Sequence, residues 1–342
     1  MELLKRLSEA FGPSGYEDEV RDIVASELRP LCDKVWTDTM GNMIGFKSGK
    51  GKKTDRKRIM LAGHMDEIGF RVTHVDKDGF LRIAPTGGFY PPNLVAQRVT
   101  VLGKGKKRLT GHFNVAGKPR NLQTPEELHK ELQLGDFYVD LGLPGKKVKG
   151  LVEIGDPVTW ERTFIEMGDT YTGKAMDDRI GVYIMIEALR KTKGNTDDIY
   201  AVGTAQEEVG VRGAQTAAFE IDPHIAIAID ITGAVDVPGA EEHMHITKLG
   251  KGIALKIKDS HSISDPKLVR EFRAVADKHN IPYQIEILPA GGTDAGAMQR
   301  ARGGASAITL SIPTRYGHSV NETVHKVDVQ AGVDLLAKFL SR

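Results

Sequence analysis

Hydrophobic positions follow two different spacings along this chain, and the change between them divides it into regions. From about residue 160 onward, short apolar runs alternate with segments of helical periodicity, as is typical of an α/β sheet with helices on both faces. The predicted strands of this region are Ile199–Ala205, Ile225–Ile229, Gly252–Lys258, Tyr283–Leu288 and Ala305–Ile312. The predicted helices are Ile180–Lys191, Gly213–Phe219, the segment from Asp265-Pro266 to His279, and Val327–Leu340.

The first part of the chain carries the same helical and strand patterns. A helix is predicted at residues 2–10, and a second follows Ser14, where Ser14 and Glu17 match the S-x-x-E capping box. The apolar run Arg58–Gly63 predicts a buried strand. We therefore assign residues 1–67 and 160–342 to one discontinuous α/β domain.

Between these two parts, helical periodicity nearly vanishes. Short β segments alternate with glycine turns over residues 68–159, and only Pro125–Leu134 has a helical pattern. Loop tips tolerate insertions well. The pattern predicts a small β-barrel-like domain inserted into the α/β domain.

Composition restricts the function classes. The 47 basic residues nearly balance the 46 acidic ones, so the net charge of +1 gives no general attraction to nucleic acid or to an anionic membrane. The basic run at residues 49–58 is interpreted as a solvated loop.

Three features of the sequence bear on localisation. Cys32 is the only cysteine, and no apolar run reaches the roughly 20 residues of a membrane span. The charged amphipathic start lacks a signal-peptide core. We expect a cytoplasmic protein.

Candidate chemistry is concentrated where predicted strands end. In open α/β sheets, ligands bind at the carboxyl ends of the strands. Two histidines and several carboxylates on one edge exceed the needs of a single catalytic metal and suit a two-metal hydrolytic site. Each residue alone also has a structural interpretation, such as a helix cap for the aspartates before residue 180. The candidates are His64, Asp66, Asp177, Asp178, Glu207, Glu208, Asp230 and His318.

Six segments, in the same order over nearly the whole chain, resemble the tetrahedral aminopeptidases, which include glutamyl aminopeptidases and belong to the dinuclear metallopeptidases. These segments are AGHMDEIG, GKAMDDRIG, QEEVGVRGA, IAIDIT, GGTDAGA and RYGHS. The resemblance implies a mixed-sheet α/β catalytic domain of the phosphorylase/hydrolase-like aminopeptidase type. It also implies that the β-rich insertion is a dimerisation domain.

The resemblance further implies a role for each candidate residue. His64 and Asp230 would hold one divalent metal, Glu208 and His318 a second, and Asp177 would bridge the two. Glu207 would be the general base and Asp66 would orient His64. Asp178 would either begin the helix or support a metal ligand. The metals would be zinc or cobalt, between which the ligand types do not choose. The substrates would be peptides shortened from the N-terminus, and the assembly a homododecamer built from dimers.

Three alternatives remain open from the sequence. A related dinuclear deacylase or carboxypeptidase would share the core residues. A glycosidase using Glu207 and Glu208 is disfavoured, because neighbouring strand residues point to opposite faces whereas a glycosidase needs carboxylates on both sides of one bond. A non-catalytic assembly protein is the third. Two local features are also ambiguous: Gly291–Gly296 fits a substrate loop or a strand–helix turn, and Arg315 fits a substrate contact or a structural ion pair.

Overall fold

The computed structural model describes residues 1–342, without the side chain of residue 120. Two compact units are present, one formed by Met1–Glu67 with Thr163–Arg342 and the other by Ile68–Arg162. The smaller unit extends past residue 159, because its last strand runs to Trp160 and Glu161 N then donates to the carbonyl of Arg98 at 3.0 Å.

The helices and strands are numbered in chain order through both units. The helices are α1 (Glu2–Glu9), α2 (Asp18–Leu28), α3 (Pro125–Leu128), α4 (Gly145–Leu151), α5 (Met176–Lys191), α6 (Arg212–Ile221), α7 (Pro266–His279), α8 (Asp294–Gln299) and α9 (Lys326–Leu340). The strands are β1 (Lys34–Thr37), β2 (Met43–Lys47), β3 (Arg58–His64), β4 (Gly69–Val75), β5 (Leu81–Thr86), β6 (Arg98–Gly103), β7 (Lys107–Val115), β8 (Phe137–Asp140), β9 (Pro157–Trp160), β10 (Ile165–Met167), β11 (Thr170–Gly173), β12 (Asp198–Thr204), β13 (Ile225–Gly233), β14 (Ile253–Lys258), β15 (Tyr283–Ile287), β16 (Ser306–Arg315) and β17 (Glu322–His325).

The larger unit is built on one mixed sheet. Within the described residues the sheet has eleven strands, in the order β1-β2-β12-β3-β13-β16-β17-β11-β10, with β14 also paired to β16 and β15 on the far side of β14. Its centre is parallel: β12 pairs with β3, β3 with β13, and β13 with β16, all in the same direction. The carboxyl ends of these four strands therefore lie at one edge of the sheet.

Alternation along the buried strands gives the sheet two apolar faces. On β13, Ile225, Ile227 and Ile229 pack in the cluster that contains residues of α1, α2, α5, α7 and α9. The intervening Ala226 and Ala228 pack in a second cluster with residues of α6 and α8. Successive strand side chains point to opposite faces, so helices cover both sides of the sheet, and the expected α/β class is confirmed.

The smaller unit is a closed antiparallel barrel with strand order β4-β5-β8-β7-β6-β9. Its interior contains fully buried aromatic side chains, including Phe70 and Phe113, whose ring centroids are 5.0 Å apart. The barrel-like prediction is confirmed. The predicted helix Pro125–Leu134 is wrong in length, because α3 ends at Leu128. Neither α4 nor the long strand β7 was predicted from the sequence.

Two predictions in the larger unit were wrong. No hydroxyl caps α2, which begins at Asp18 after Glu17, so the Ser14–Glu17 capping box is absent. The short strands β10, β11 and β17 were not predicted, because runs of three or four residues carry little periodic signal. Among the described helices, none has the length and apolar character required to cross a membrane.

Candidate metal centre

The candidate side chains meet at the carboxyl edge of the parallel strands. His64 ends β3 and lies opposite Thr204, the last residue of β12, after which the chain continues to Glu207 and Glu208. Asp230 lies inside β13, because that strand continues to Gly233 rather than ending at residue 229. His318 follows β16, and Asp177 lies in the first turn of α5.

Asp177 faces both histidines. Its Oδ1 lies 2.9 Å from His64 Nε2, and its Oδ2 lies 3.2 Å from His318 Nε2. His64 ends β3 and His318 lies in the loop after β16, so the packing of α5 against the sheet places one carboxylate between them. Asp177 thus offers one oxygen to each of two neighbouring positions.

Two ligand triads share this aspartate. His64, Asp177 and Asp230 form the first, and Asp177, Glu208 and His318 form the second; within each, the ligand atoms lie within 4.8 Å of one another. The first triad is buried, whereas the His318 side chain is 41% exposed. The second position is therefore the more exposed of the two.

The residues present fit a pair of divalent cations. Mixed imidazole and carboxylate ligands are suited to zinc and to cobalt. His64 Nδ1 donates to the main-chain carbonyl of Asp66 at 3.0 Å, so Nε2, which faces Asp177, is the ring nitrogen left to bind a cation. Glu208 Oε1 is buried without a hydrogen-bond partner among the described atoms. A buried carboxylate oxygen of this kind is costly unless a cation or water meets it.

Burial and neighbouring charges shift the pKa of three of the ligands, raising it for His318 and Asp230 and lowering it for Asp177. Burial lowers the pKa of His318, but the hydrogen bond to Asp177 and the charge of Glu208 outweigh it and raise the pKa to about 10. Burial, with the charge of Asp177, raises the pKa of Asp230 to about 7. Burial raises the pKa of Asp177, but its hydrogen bonds to His318 and His64 lower it far below its ordinary value. The cluster thus concentrates negative charge that a cation would stabilise.

Glu207 lies outside both triads. Burial raises its pKa well above the ordinary glutamate value; His64 lowers it, and the charges of Asp230, Asp294 and Glu208 raise it further. A carboxylate with a raised pKa next to a reaction centre is suited to taking up and releasing a proton. Its neighbour Glu208 also has a pKa raised well above the ordinary value, mainly by burial and by the charge of Asp177.

Three further carboxylates hold the backbone of the ligand-bearing segments. Asp178, which a cis peptide bond joins to Asp177, accepts from His64 N at 3.0 Å. Glu322 accepts from Asp177 N at 3.0 Å and from His318 N at 2.7 Å. Asp66 accepts from the amides of the two glutamates that follow β12. Its carboxylate is 3.5 Å from His64 Nδ1, so the Asp66 carbonyl is the nearer partner of that ring.

Two residues of this region were not predicted from the sequence. Glu322 lies in a four-residue strand, and no motif marks it. Lys256 is a fully buried cation on β14 whose Nζ is 3.3 Å from Glu286 Oε1 and 3.5 Å from Asp259 Oδ2. The charge of Lys256 lowers the pKa of Asp230, opposing the effect of burial. The signal for Lys256 was a lysine in the middle of an apolar strand, IALKIK.

The structure decides both ambiguous features. Thr293 caps α8 by accepting from Ala295 N, and Asp294 is buried with its Oδ2 accepting from Thr204 Oγ1 at 2.6 Å. Gly291–Gly296 is therefore a strand–helix turn. Arg315 makes a bidentate ion pair with Asp236, with both N–O distances 2.8 Å. This favours the structural interpretation of Arg315.

Comparison with known proteins agrees with this architecture. The family model described as M42 glutamyl aminopeptidase matches residues 41–335. The lysyl aminopeptidase of Pyrococcus furiosus is 35% identical over 346 residues, which cover 99% of this chain and 96% of that protein.

Two solved structures show the same fold over the whole chain. An aminopeptidase from Desulfurococcus kamchatkensis superposes with a TM-score of 0.94 at 37% identity, covering 100% of this chain and 94% of that one. The TET1 peptidase of Pyrococcus horikoshii, which can assemble into a tetrahedron or a large octahedral shell, superposes with a TM-score of 0.87 at 30% identity, covering 99% and 98%. The chain belongs to the M42 glutamyl aminopeptidase family and is a peptidase of the aminopeptidase class.

Proposed function

We propose that this aminopeptidase removes N-terminal residues from peptides by a two-metal mechanism. His64 and Asp230 would hold one divalent ion, Glu208 and His318 would hold the other, and Asp177 would be shared by both. The observation that carries the proposal is the position of Asp177, whose two oxygens face two different histidines at 2.9 and 3.2 Å. Zinc and cobalt are the candidate ions.

When bound, the ions would acidify a water molecule and polarise the scissile carbonyl. Glu207 receives the proton at its carboxylate and delivers it to the nitrogen of the leaving amine. His64 is held for ligation by the hydrogen bond from its Nδ1 to the Asp66 carbonyl. Asp178 and Glu322 fix the backbone on either side of the bridging aspartate.

The charge of the site supports a peptide substrate that is bound through its free N-terminal amino group. Glu207 and the buried Asp294 lie outside both ligand triads, so the region carries more carboxylates than two ions require. Such a surplus favours a cationic group, and the free α-amino group of a peptide is one.

Two variants test the assignment of base and bridge. Glu207→Gln should bind two ions per chain and unfold at the wild-type temperature, yet lose turnover of aminoacyl-anilides, because the amide does not accept the proton. Asp177→Asn should lose metal as well as activity, because the bridge is weakened. Near-normal turnover in Glu207→Gln would refute the mechanism. A parallel panel of N-acyl amino acids separates an aminopeptidase from a deacylase with the same core.

We also propose a homododecamer built from dimers, located in the cytoplasm, with the β-rich unit mediating dimerisation. The support is the assembly of the related TET1 peptidase of Pyrococcus horikoshii and the single cysteine of the chain. Light scattering of the purified protein tests the assembly. A stable monomer of 37.4 kDa would contradict it.

A further inference from the structure

In the turn before α2, residues 13–17, two polar side chains bond to other segments instead of capping the helix. Ser14 and Glu17 are 3% and 2% exposed, and neither side chain caps α2. Ser14 Oγ instead donates to Asp66 Oδ2 at 2.6 Å. Glu17 Oε1 accepts from Gln206 N at 3.2 Å and from Gly15 N at 2.6 Å. Glu17 is therefore bonded directly to the loop after β12, whereas Ser14 is bonded to Asp66, which follows β3.

That loop presents three consecutive amides to two carboxylates. Gln206 N donates to Glu17, Glu207 N donates to Asp66 Oδ1 at 2.9 Å, and Glu208 N donates to Asp66 Oδ2 at 3.2 Å. Gln206 has a φ of +57°, which side-chain-bearing residues rarely adopt. Backbone in such a region persists only where surrounding contacts hold it, and these three bonds are such contacts.

The turn and the residue before it are also hydrogen-bonded to Glu67, in the segment that follows β3. Glu67 N donates to the carbonyl of Gly12 at 3.0 Å, and Ser14 N donates to the carbonyl of Glu67 at 3.3 Å. The carboxylate of Glu67 is buried against Lys174 Nζ, at 2.8 Å from both oxygens. Residues 13–17 are thus bonded to the segment that carries Asp66 and Glu67.

We propose that Ser14, acting through Asp66, and Glu17 are positioning residues that fix the Glu207–Glu208 pair by holding its backbone. The short O–H···O⁻ bond of Ser14 is charge-assisted and limits the rotation of the Asp66 carboxylate. Without that hydroxyl, Asp66 Oδ2 keeps the longer bond from Glu208 N, and the carboxylate turns more freely. The inference rests on the proposed function, which gives these two glutamates the roles of base and ligand.

Ser14→Ala tests the inference, with Ser8→Ala as matched control. Ser8 is also fully buried in the N-terminal segment and also donates at 2.6 Å, but to the carbonyl of Lys174. In metal-free protein, hydrogen exchange at the amides of residues 207 and 208, which donate to Asp66, should be at least about ten-fold faster in Ser14→Ala and unchanged in Ser8→Ala. In the metal-loaded enzyme, Ser14→Ala should lower kcat by about 10- to 100-fold with KM nearly constant. Ser14→Thr, which keeps the hydroxyl, should recover most of the loss.

A second pair of variants tests Glu17 in the same way. Glu17→Gln keeps an oxygen for the Gln206 amide, whereas Glu17→Met removes it, so only Glu17→Met should speed exchange at residue 206 and lower kcat. Unchanged exchange at residues 207 and 208 in Ser14→Ala, unchanged exchange at residue 206 in Glu17→Met, or equal losses of kcat in Ser14→Ala and Ser8→Ala would overturn the inference. If the wild-type protein lacks metal-dependent activity, the proposed function fails, while the exchange experiment still decides whether the turn holds the loop.

Discussion

Glu322 makes the strongest test of how the metal centre is organised, because its carboxylate joins two ligand segments and lies outside both ligand triads. Its Oε2 accepts from Asp177 N at 3.0 Å, its Oε1 accepts from His318 N at 2.7 Å, and the residue is 2% exposed. Glu322→Gln preserves the shape of the side chain. One acceptor oxygen becomes an NH₂ group, however, and that group then faces a backbone N–H.

The size of the effect follows from the lost hydrogen bond. A bond to a charged acceptor contributes about 1.5–3 kcal/mol. In the metal-free variant the two ligand segments relax, and metal binding must then restore their geometry. The free energy of metal binding is therefore smaller by this amount. Since about 1.4 kcal/mol corresponds to a factor of ten, affinity for zinc should fall about 10- to 150-fold.

The assay is a competition titration with a chromophoric chelator at pH 9. Burial and the charge of Asp177 raise the pKa of Glu322 to about 8, so at pH 9 the ionised side chain is compared with a neutral amide. A carboxylate elsewhere in the fold provides the control. Asp328 is fully buried and accepts from Gly250 N at 2.8 Å and from Gly252 N at 2.6 Å, which holds a loop without metal ligands.

Asp328→Asn should therefore lower the free energy of unfolding to a similar extent and leave zinc affinity unchanged. Wild-type zinc affinity in Glu322→Gln would refute the reasoning. Equal weakening in both variants would refute it as well, because it would assign the effect to general loss of stability rather than to the position of the ligands.

The remaining predictions concern buried charge, pH and metal removal. Lys256→Met should lower the free energy of unfolding by about 3–5 kcal/mol in urea titrations, since it leaves Glu286 buried without its countercharge; an unchanged value would contradict this. Burial raises the pKa of Asp236, but the bond to Arg315 lowers it below its ordinary value, so this pair stabilises the fold above the unfolded pKa of about 3.9 and the gain is lost as pH falls through the lower folded pKa. Asp236→Asn should thus cost about 1 kcal/mol or less at pH 7 and progressively less as pH falls below about 3.9; a difference in thermal unfolding that stays constant with pH would argue against it. Chelation should lower the unfolding temperature, because the site carboxylates then repel one another, and zinc or cobalt should restore it; no shift with either ion would count against the metal centre.

The sequence by itself determined the elements with strong periodicity and the positions of polar residues at their ends. Apolar runs such as Arg58–Gly63 specify buried strands, because only a strand covered on both faces accommodates them. Parallel strands place their carboxyl ends together, so the sequence alone predicted His64 and Glu207 at one edge of the sheet. The order of the motifs along the chain also indicated the family, which the comparisons show.

Tertiary structure alone decided which distant side chains hold those residues in place. Glu322 reaches Asp177 across 145 residues of sequence, through a strand too short to carry a periodic signal. Ser14 matched a helix cap locally, yet its hydroxyl donates to a carboxylate 52 residues away. A local pattern records which backbone conformation a segment favours, whereas the partner of a buried polar group depends on which distant segment packs against it. The backbone of the Glu207–Glu208 loop is therefore held by side chains that no sequence window around it contains.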